Sequence, residues 1–125
     1  MNPLTLAFIG DGVFELYVRE RVVLLNKDLK PNDLHKNAIN YVKASRQSFI
    51  IEKLEDSLTE EEIYIYKRGR NMKSNTVPKN ANMLDYRRSS GYEALVGYLY
   101  LIGSIKRLDE IIMMSLEIIE NRKED

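Results

Sequence analysis

Apolar residues return at three- and four-residue spacing along most of this chain, the period of an α-helix, while strict alternation and Asn-Gly hairpin signals are missing. The pattern predicts an all-α fold. A first helix runs from Leu4 through Val18 to about Leu25. The turn from Asn26 to Lys30 leads to Pro31, a residue suited to a first helical turn, and a second helix starts there. Asn32 to Lys43 and Ala44 to Leu58 read as one bent helix or two, because Ser45, Arg46 and Gln47 interrupt the apolar stripe without a breaker. Thr59 and Glu62 have capping-box spacing, and Glu60, Glu61 and Glu62 crowd the first turn, where the helix dipole favours acids. A helix to about Arg70 follows. Asn71 to Asn80 holds Ser74, Asn75, Thr76 and Pro78 with no apolar period, so a polar, mobile loop is expected. Ser90 or Gly91 then opens an apolar helix to Ile102; Gly103 and Ser104 end it and cap a last amphipathic helix to about Asn121, with a frayed tail from Arg122 to Asp125. No internal repeat or low-complexity tract is visible.

Size narrows the picture: 125 residues, 44% of them hydrophobic, suffice for one domain with its own core and are too few for two. Without cysteine there is neither a disulfide framework nor a thiolate metal site. The N-terminus lacks a basic segment, and no apolar run approaches the roughly 20 residues of a membrane-spanning helix, so the expectation is a soluble, cytoplasmic protein with no membrane partner. A formal net charge of zero argues, taken alone, against a nucleic-acid partner. The average conceals the distribution. Between Lys67 and Arg88, seven basic residues face the single acid Asp85, a net +6 balanced by −6 elsewhere. Lys67, Arg68, Arg70, Asn71, Lys73, Ser74, Lys79 and Asn80 offer positive charge with hydrogen-bonding amides and hydroxyls, the chemistry that binds phosphates and sugars. A solvated helix end is the alternative.

Two acids stand in apolar settings. Asp11, within Leu-Ala-Phe-Ile-Gly-Asp-Gly-Val-Phe, falls beside Ala7, Phe8, Phe14 and Glu15 on a helix surface, a position that reads as buried. Glu93 is the only acid between Tyr92 and Ile102. A carboxylate withdrawn from water needs hydrogen bonds, a cation or a metal, or it takes up a proton. Two helices crossing at these points can bring both carboxylates to one hard divalent cation such as Mg2+, which is held by one or two carboxylates while keeping several waters. A capping or salt-bridged structural role for Asp11 stays open. Glu15, one turn on, is either a further acid at the edge of that site or a surface acid pairing with Arg19. His35, the only histidine, reads as a hydrogen-bonded structural residue. Gly10 and Gly12 lack the strand and spacing of a phosphate loop and suit close helix packing instead. Met113, Met114 and the tyrosines after Glu93 read as core or subunit interface.

Five segments in register carry a family likeness: Leu-Ala-Phe-Ile-Gly-Asp11-Gly-Val-Phe-Glu15, Lys30-Pro-Asn-Asp-Leu-His35, Lys67-Arg-Gly-Arg-Asn-Met-Lys-Ser74, Pro78-Lys-Asn80 and Gly91-Tyr-Glu93-Ala-Leu-Val-Gly-Tyr-Leu-Tyr-Leu101. In order and spacing, across nearly the whole chain, they resemble Mini-ribonuclease III. The resemblance implies the helical ribonuclease III catalytic fold over residues 1–125 as a homodimer, with no separate double-stranded-RNA-binding domain. It implies Mg2+-dependent cleavage of double-stranded RNA, with Mn2+ as a substitute metal, in maturation of the large-subunit (23S) ribosomal RNA precursor. Whether a ribosomal protein assists is left open. In full ribonuclease III enzymes two further acids precede the aspartate by seven and four residues and another precedes the glutamate by three. Here Leu4, Ala7 and Ser90 stand there, so the catalytic and metal-binding assignment is carried to Asp11 and Glu93 alone. The loss of three acids gives some weight to an alternative, a non-catalytic helical RNA-binding dimer. A hydrolase of small phosphate esters lacks a histidine cluster to bind its metals.

Overall fold

The computed structural model describes residues 1–72, 79 and 81–122, which form six α-helices, one 3-10 turn and no strand. The helices are α1 (Pro3–Leu25), α2 (Pro31–Val42), α3 (Ala44–Leu54), α4 (Glu60–Asn71), α5 (Met83–Leu101) and α6 (Ile105–Glu120), with the turn Glu55–Ser57 after α3. None is long and apolar enough to cross a membrane.

Local chemistry accounts for the boundaries. Asn2 caps α1, its side-chain oxygen accepting from the Leu4 amide at 2.8 Å with Pro3 in the first turn, so the helix begins cleanly. Thr59 and Glu62 form the expected capping box at α4. Gly103, at φ +77°, closes α5 in a Schellman arrangement: its amide bonds to the Tyr100 carbonyl and the Ser104 amide to that of Leu99. Ser104 occupies the N-cap of α6, although its side chain makes no capping bond. One alternative is decided and one expectation changes. The segment 31–58 takes the two-helix form, divided at Lys43, whose extended backbone (ψ 153°) precedes the three residues expected to interrupt the stripe. The apolar helix begins at Met83, not at Ser90 or Gly91: Asn82 caps it through the Asp85 amide at 3.0 Å, and Met83 to Arg88 stay exposed or half-buried because they lie before the helix enters the core. Of the polar stretch 71–80, only Asn71, Met72 and Lys79 fall within the described residues, and the tail 123–125 lies outside them.

α5 is the hub, packing on α1, α3, α4 and α6. Around it Phe14, Val18, Ile51, Leu95, Ile111 and Leu116 are almost wholly buried, each contributing roughly 1.5–3 kcal/mol relative to exposure. Phe14 meets the Tyr92 ring edge-on at 5.2 Å. The buried Tyr92 hydroxyl donates to Ser115 Oγ, which donates to the Ile111 carbonyl, so no donor is stranded in that part of the core. Arg107 clasps Glu62 bidentately at 2.8 Å, tying α6 to α4 and holding the Glu62 carboxyl below its ordinary range. Arg21 likewise joins α1 to Glu120, which also accepts from Tyr41.

α1 and α5 approach each other very closely. A Cβ on Gly10 would lie 1.7 Å from the Glu93 carbonyl oxygen, and one on Gly97 would lie 2.0 Å from that of Leu6. Backbone touches backbone here, which only glycine permits. Gly12, read with Gly10 as a packing glycine, meets nothing within 4 Å. Gly97→Ala should therefore cost about 3 kcal/mol or more, because the obstacle is main chain and cannot rotate aside. Urea denaturation reads the effect directly; an unchanged midpoint would show that the helices separate freely.

Candidate active site

Gly10 fixes where its neighbour stands. With α1 pressed onto α5 at Gly10, Asp11 emerges at the rim of the crossing and Glu93 lies beneath it, their side chains within hydrogen-bonding reach. The two acids expected to share a site are thus brought together. Their environments differ, however. Glu93 is half-buried, whereas Asp11 is exposed, contrary to its expected burial. Of the apolar neighbours that suggested burial, Ala7 and Phe14 are themselves buried but Phe8 is 79% exposed, so the side of α1 that carries Asp11 is only partly covered.

Desolvation is the largest influence on Glu93, followed by the hydrogen bond and charge of Asp11, and together they push its carboxyl up to about 9. Glu15 adds a weaker repulsion while forming an ion pair with Arg19 at 3.3 Å, so it both pairs on the surface and is felt at the site. A stabilising partner of the Glu93 charge is Gln47 of α3, whose Nε2 donates to Oε2 at 3.3 Å. Gln47 is missing from the sequence-based site. Its helical phase held the signal, since Gln47 shares a face with Ala44, Ile50 and Ile51 and is therefore a polar residue in a buried stripe.

α4 brings up the basic residues. Gly69 packs on Gly91 and Ala94, where a Cβ would stand 2.7 Å from Ala94 Cβ, so the C-terminal turn of α4 lies against the stretch of α5 that carries Glu93. Lys67, Arg68 and Asn71 are exposed there, and Arg70 is half-buried. Arg68 lies over the Tyr64 ring and Arg70 over that of Tyr66, with Arg70 Nε donating to Asn71 at 3.1 Å. Lys79 is exposed; Lys73, Ser74 and Asn80 lie outside the described residues. His35 is exposed on α2.

A model of the Ribonuclease III domain matches residues 4–104. The chain is 46% identical over 125 residues to the Mini-ribonuclease 3 of Clostridium tetani, covering 100% of this chain and 83% of that one. The chain belongs to the ribonuclease III family. It is also 48% identical over 120 residues to the Mini-ribonuclease 3 of a Thermoanaerobacter species, covering 96% and 84% of the two chains. A crystal structure of a Fusobacterium nucleatum protein superposes with a TM-score of 0.83 at 31% identity, over 94% of this chain and 93% of that one. Ribonuclease III membership makes the chain an endoribonuclease of double-stranded RNA and sets aside the non-catalytic alternative.

Within that family frame, the donors available to a cation are few. Among the described residues no group of three or more His, Cys, Asp or Glu side chains is arranged as a metal cage. Two hard carboxylates, one of them desolvated beside the other, fit a Mg2+ ion that retains most of its waters. Ala7, where the resemblance leads one to look for a further acid, is 8% exposed, so a carboxylate there would be desolvated as well.

The raised Glu93 pKa has a defined consequence for stability. Because the folded value of about 9 exceeds the ordinary 4.5, the fold favours the protonated form, and the cost of ionisation grows as pH rises between those values. In chelator at pH 8, Glu93→Gln should be more stable than the parent by more than about 1 kcal/mol. The advantage should vanish towards pH 4.5. Thermal unfolding across this range checks it, and a pH-independent difference would refute the desolvated acid.

Proposed function

We propose that Asp11 and Glu93 hold Mg2+, with Mn2+ able to replace it, in an enzyme that matures the 23S ribosomal RNA precursor in the cytoplasm. The observation carrying this reading is the meeting of the two carboxyls at the α1–α5 crossing, with Glu93 desolvated and repelled by the acids beside it. Two acids so placed repel one another when ionised, and a divalent cation relieves that repulsion. A cation bound there supplies charge neutralisation at the phosphate and activation of water, giving 5′-phosphate and 3′-hydroxyl products.

The residues of the chain do the rest. Asp11, exposed at the rim, faces solvent and incoming RNA; Glu93, half-buried, is held at a fixed depth by the helix crossing. Lys67, Arg68, Arg70 and Asn71 supply phosphate and 2′-hydroxyl contacts next to the acid pair, a role that extends along the chain to Lys73, Ser74, Lys79 and Asn80. Arg68 and Arg70 are steadied by the tyrosine rings beneath them. Glu15 tunes the site through its charge. Likeness to the Mini-ribonuclease 3 proteins supports the ribosomal precursor as substrate.

A homodimer completes the proposal. α1 presents Phe8, Leu16 and Val23 to solvent, and beside them a groove of about 500 Å³ is lined by Gly12, Leu16, Tyr100 and Ile105. An apolar face this continuous suits a second copy of the same surface, and each protomer would then bring one acid pair to one strand.

Cleavage of a long labelled duplex RNA with Mg2+ or EDTA tests the acid pair. Asp11→Asn should bind the duplex yet lose at least about a hundredfold in cutting rate, a loss of about 2.7 kcal/mol in transition-state stabilisation. Undiminished cutting by this variant would end the assignment. Separately, Leu16→Arg should sediment as a monomer at micromolar concentration; an unchanged dimer mass would place the interface elsewhere.

A further inference from the structure

Gln47 is 2% exposed, in a stripe otherwise suited to aliphatic side chains. Its Nε2 carries two N–H donors, one given to the Val42 carbonyl at 2.8 Å and the other to Glu93 Oε2 at 3.3 Å. The Val42 contact settles the amide orientation, since the flipped form would oppose two carbonyl oxygens at that distance. Oε1 of Gln47 is buried with no hydrogen-bond partner among the described residues. Leaving a buried acceptor unpaired is unfavourable, and a methionine of similar length would fill the space without it. Packing alone therefore does not account for glutamine at this position. Its donor pair does, because it ties one oxygen of the Glu93 carboxyl to the main chain at the α2–α3 junction.

We propose that Gln47 is a positioning residue for metal binding. It pins Glu93 Oε2 so that the other carboxylate oxygen is presented, in a single rotamer, towards Asp11 and the cation. The inference rests on Glu93 being a metal-holding carboxylate. Outer hydrogen-bond partners of metal-binding side chains act in this way, and their removal typically weakens metal affinity or activity by about 10–100-fold.

Calorimetric titration with Mn2+, without RNA, tests the idea on the parent, Glu93→Gln and Gln47→Met proteins, with thermal unfolding in chelator measured alongside. Gln47→Met should bind Mn2+ at least about tenfold more weakly while remaining folded, and cleavage should recover as Mg2+ is raised. A purely structural role would instead lower the unfolding temperature and leave the affinity of the folded protein unchanged, and that result overturns the proposal. If Glu93→Gln binds as tightly as the parent, the metal assignment itself is wrong. If Glu93→Gln loses affinity and Gln47→Met does not, only the role of Gln47 falls. Should Gln47→Met fail to fold, side-chain amide NMR of the parent decides the matter. The Gln47 NH2 signals should shift on Mg2+ addition and in Glu93→Gln; signals indifferent to both overturn the proposal.

Discussion

Contact between the main chains of α1 and α5 governs this molecule. Where Gly10 lies on the Glu93 carbonyl and Gly97 on that of Leu6, the helices are closer than any side chain permits. That proximity sets the position of everything built on α5. It lets Phe14 reach the edge of Tyr92 and sets Asp11 and Glu93 side by side although 82 positions separate them in sequence. Gly69 of α4 repeats the device against Gly91 and Ala94, one turn along the same helix, and thereby delivers the basic end of α4 to the acid pair. Small residues thus do the positioning, and the chemical groups stand next to them in sequence: Asp11 after Gly10, Arg68 and Arg70 on either side of Gly69, Glu93 between Gly91 and Gly97.

Such precision puts like charges together. Desolvation and Asp11 together raise Glu93 to about 9, and Gln47 is the neutral donor that partly opposes them. Arginines on the adjoining helices are otherwise occupied: Arg19 is engaged by Glu15, while Arg68 and Arg70 lie over tyrosine rings. An arginine paired directly with Glu93 would relieve the repulsion but would also compete with a divalent cation. A neutral amide orients the carboxylate without that competition. The arrangement is thus strained in a direction that a cation, bound as proposed, would relax, setting folding stability against readiness to bind.

Much of this was legible in the residues. Glu93 is conspicuous as a lone acid in an apolar run, and its partial burial follows from the helical period that places it beside buried Ala94 and Gly97. The capping box at Thr59 and the break at Gly103 are local chemistry and appear where the pattern puts them. Asp11 shows the limit: apolar neighbours do not by themselves cover a residue, and Asp11 is exposed between buried Ala7 and Phe14 on one side and uncovered Phe8 on the other. The start of α5 eluded the pattern because Met83 to Ser90 is helical for a reason the apolar period does not register, namely the Asn82 cap. Gln47 was passed over as an interruption of its helix. Its helical phase, shared with Ile50 and Ile51, pointed to burial, but only the third dimension shows that Glu93 lies opposite.

The uncovered face of α1 and the exposure of Asp11 have one origin. The apolar face is turned away from α5, because the backbone contact at Gly10 commits the opposite side to the core, while Asp11 stands at the rim of that contact, beside Glu93 and open to solvent. Phe8 lies one turn before Gly12, and Leu16 one turn after it, so the apolar band runs alongside Asp11 instead of over it. A second copy seated on that band would therefore border the acid pair without sealing it. Access to Asp11 and cover for Phe8 and Leu16 are compatible because glycine at position 12 leaves the middle of the face flat, with nothing within 4 Å of where a side chain would begin. On this view Gly10 and Gly12 serve opposite faces of one helix turn, the first closing α1 onto α5 and the second leaving room for a neighbour.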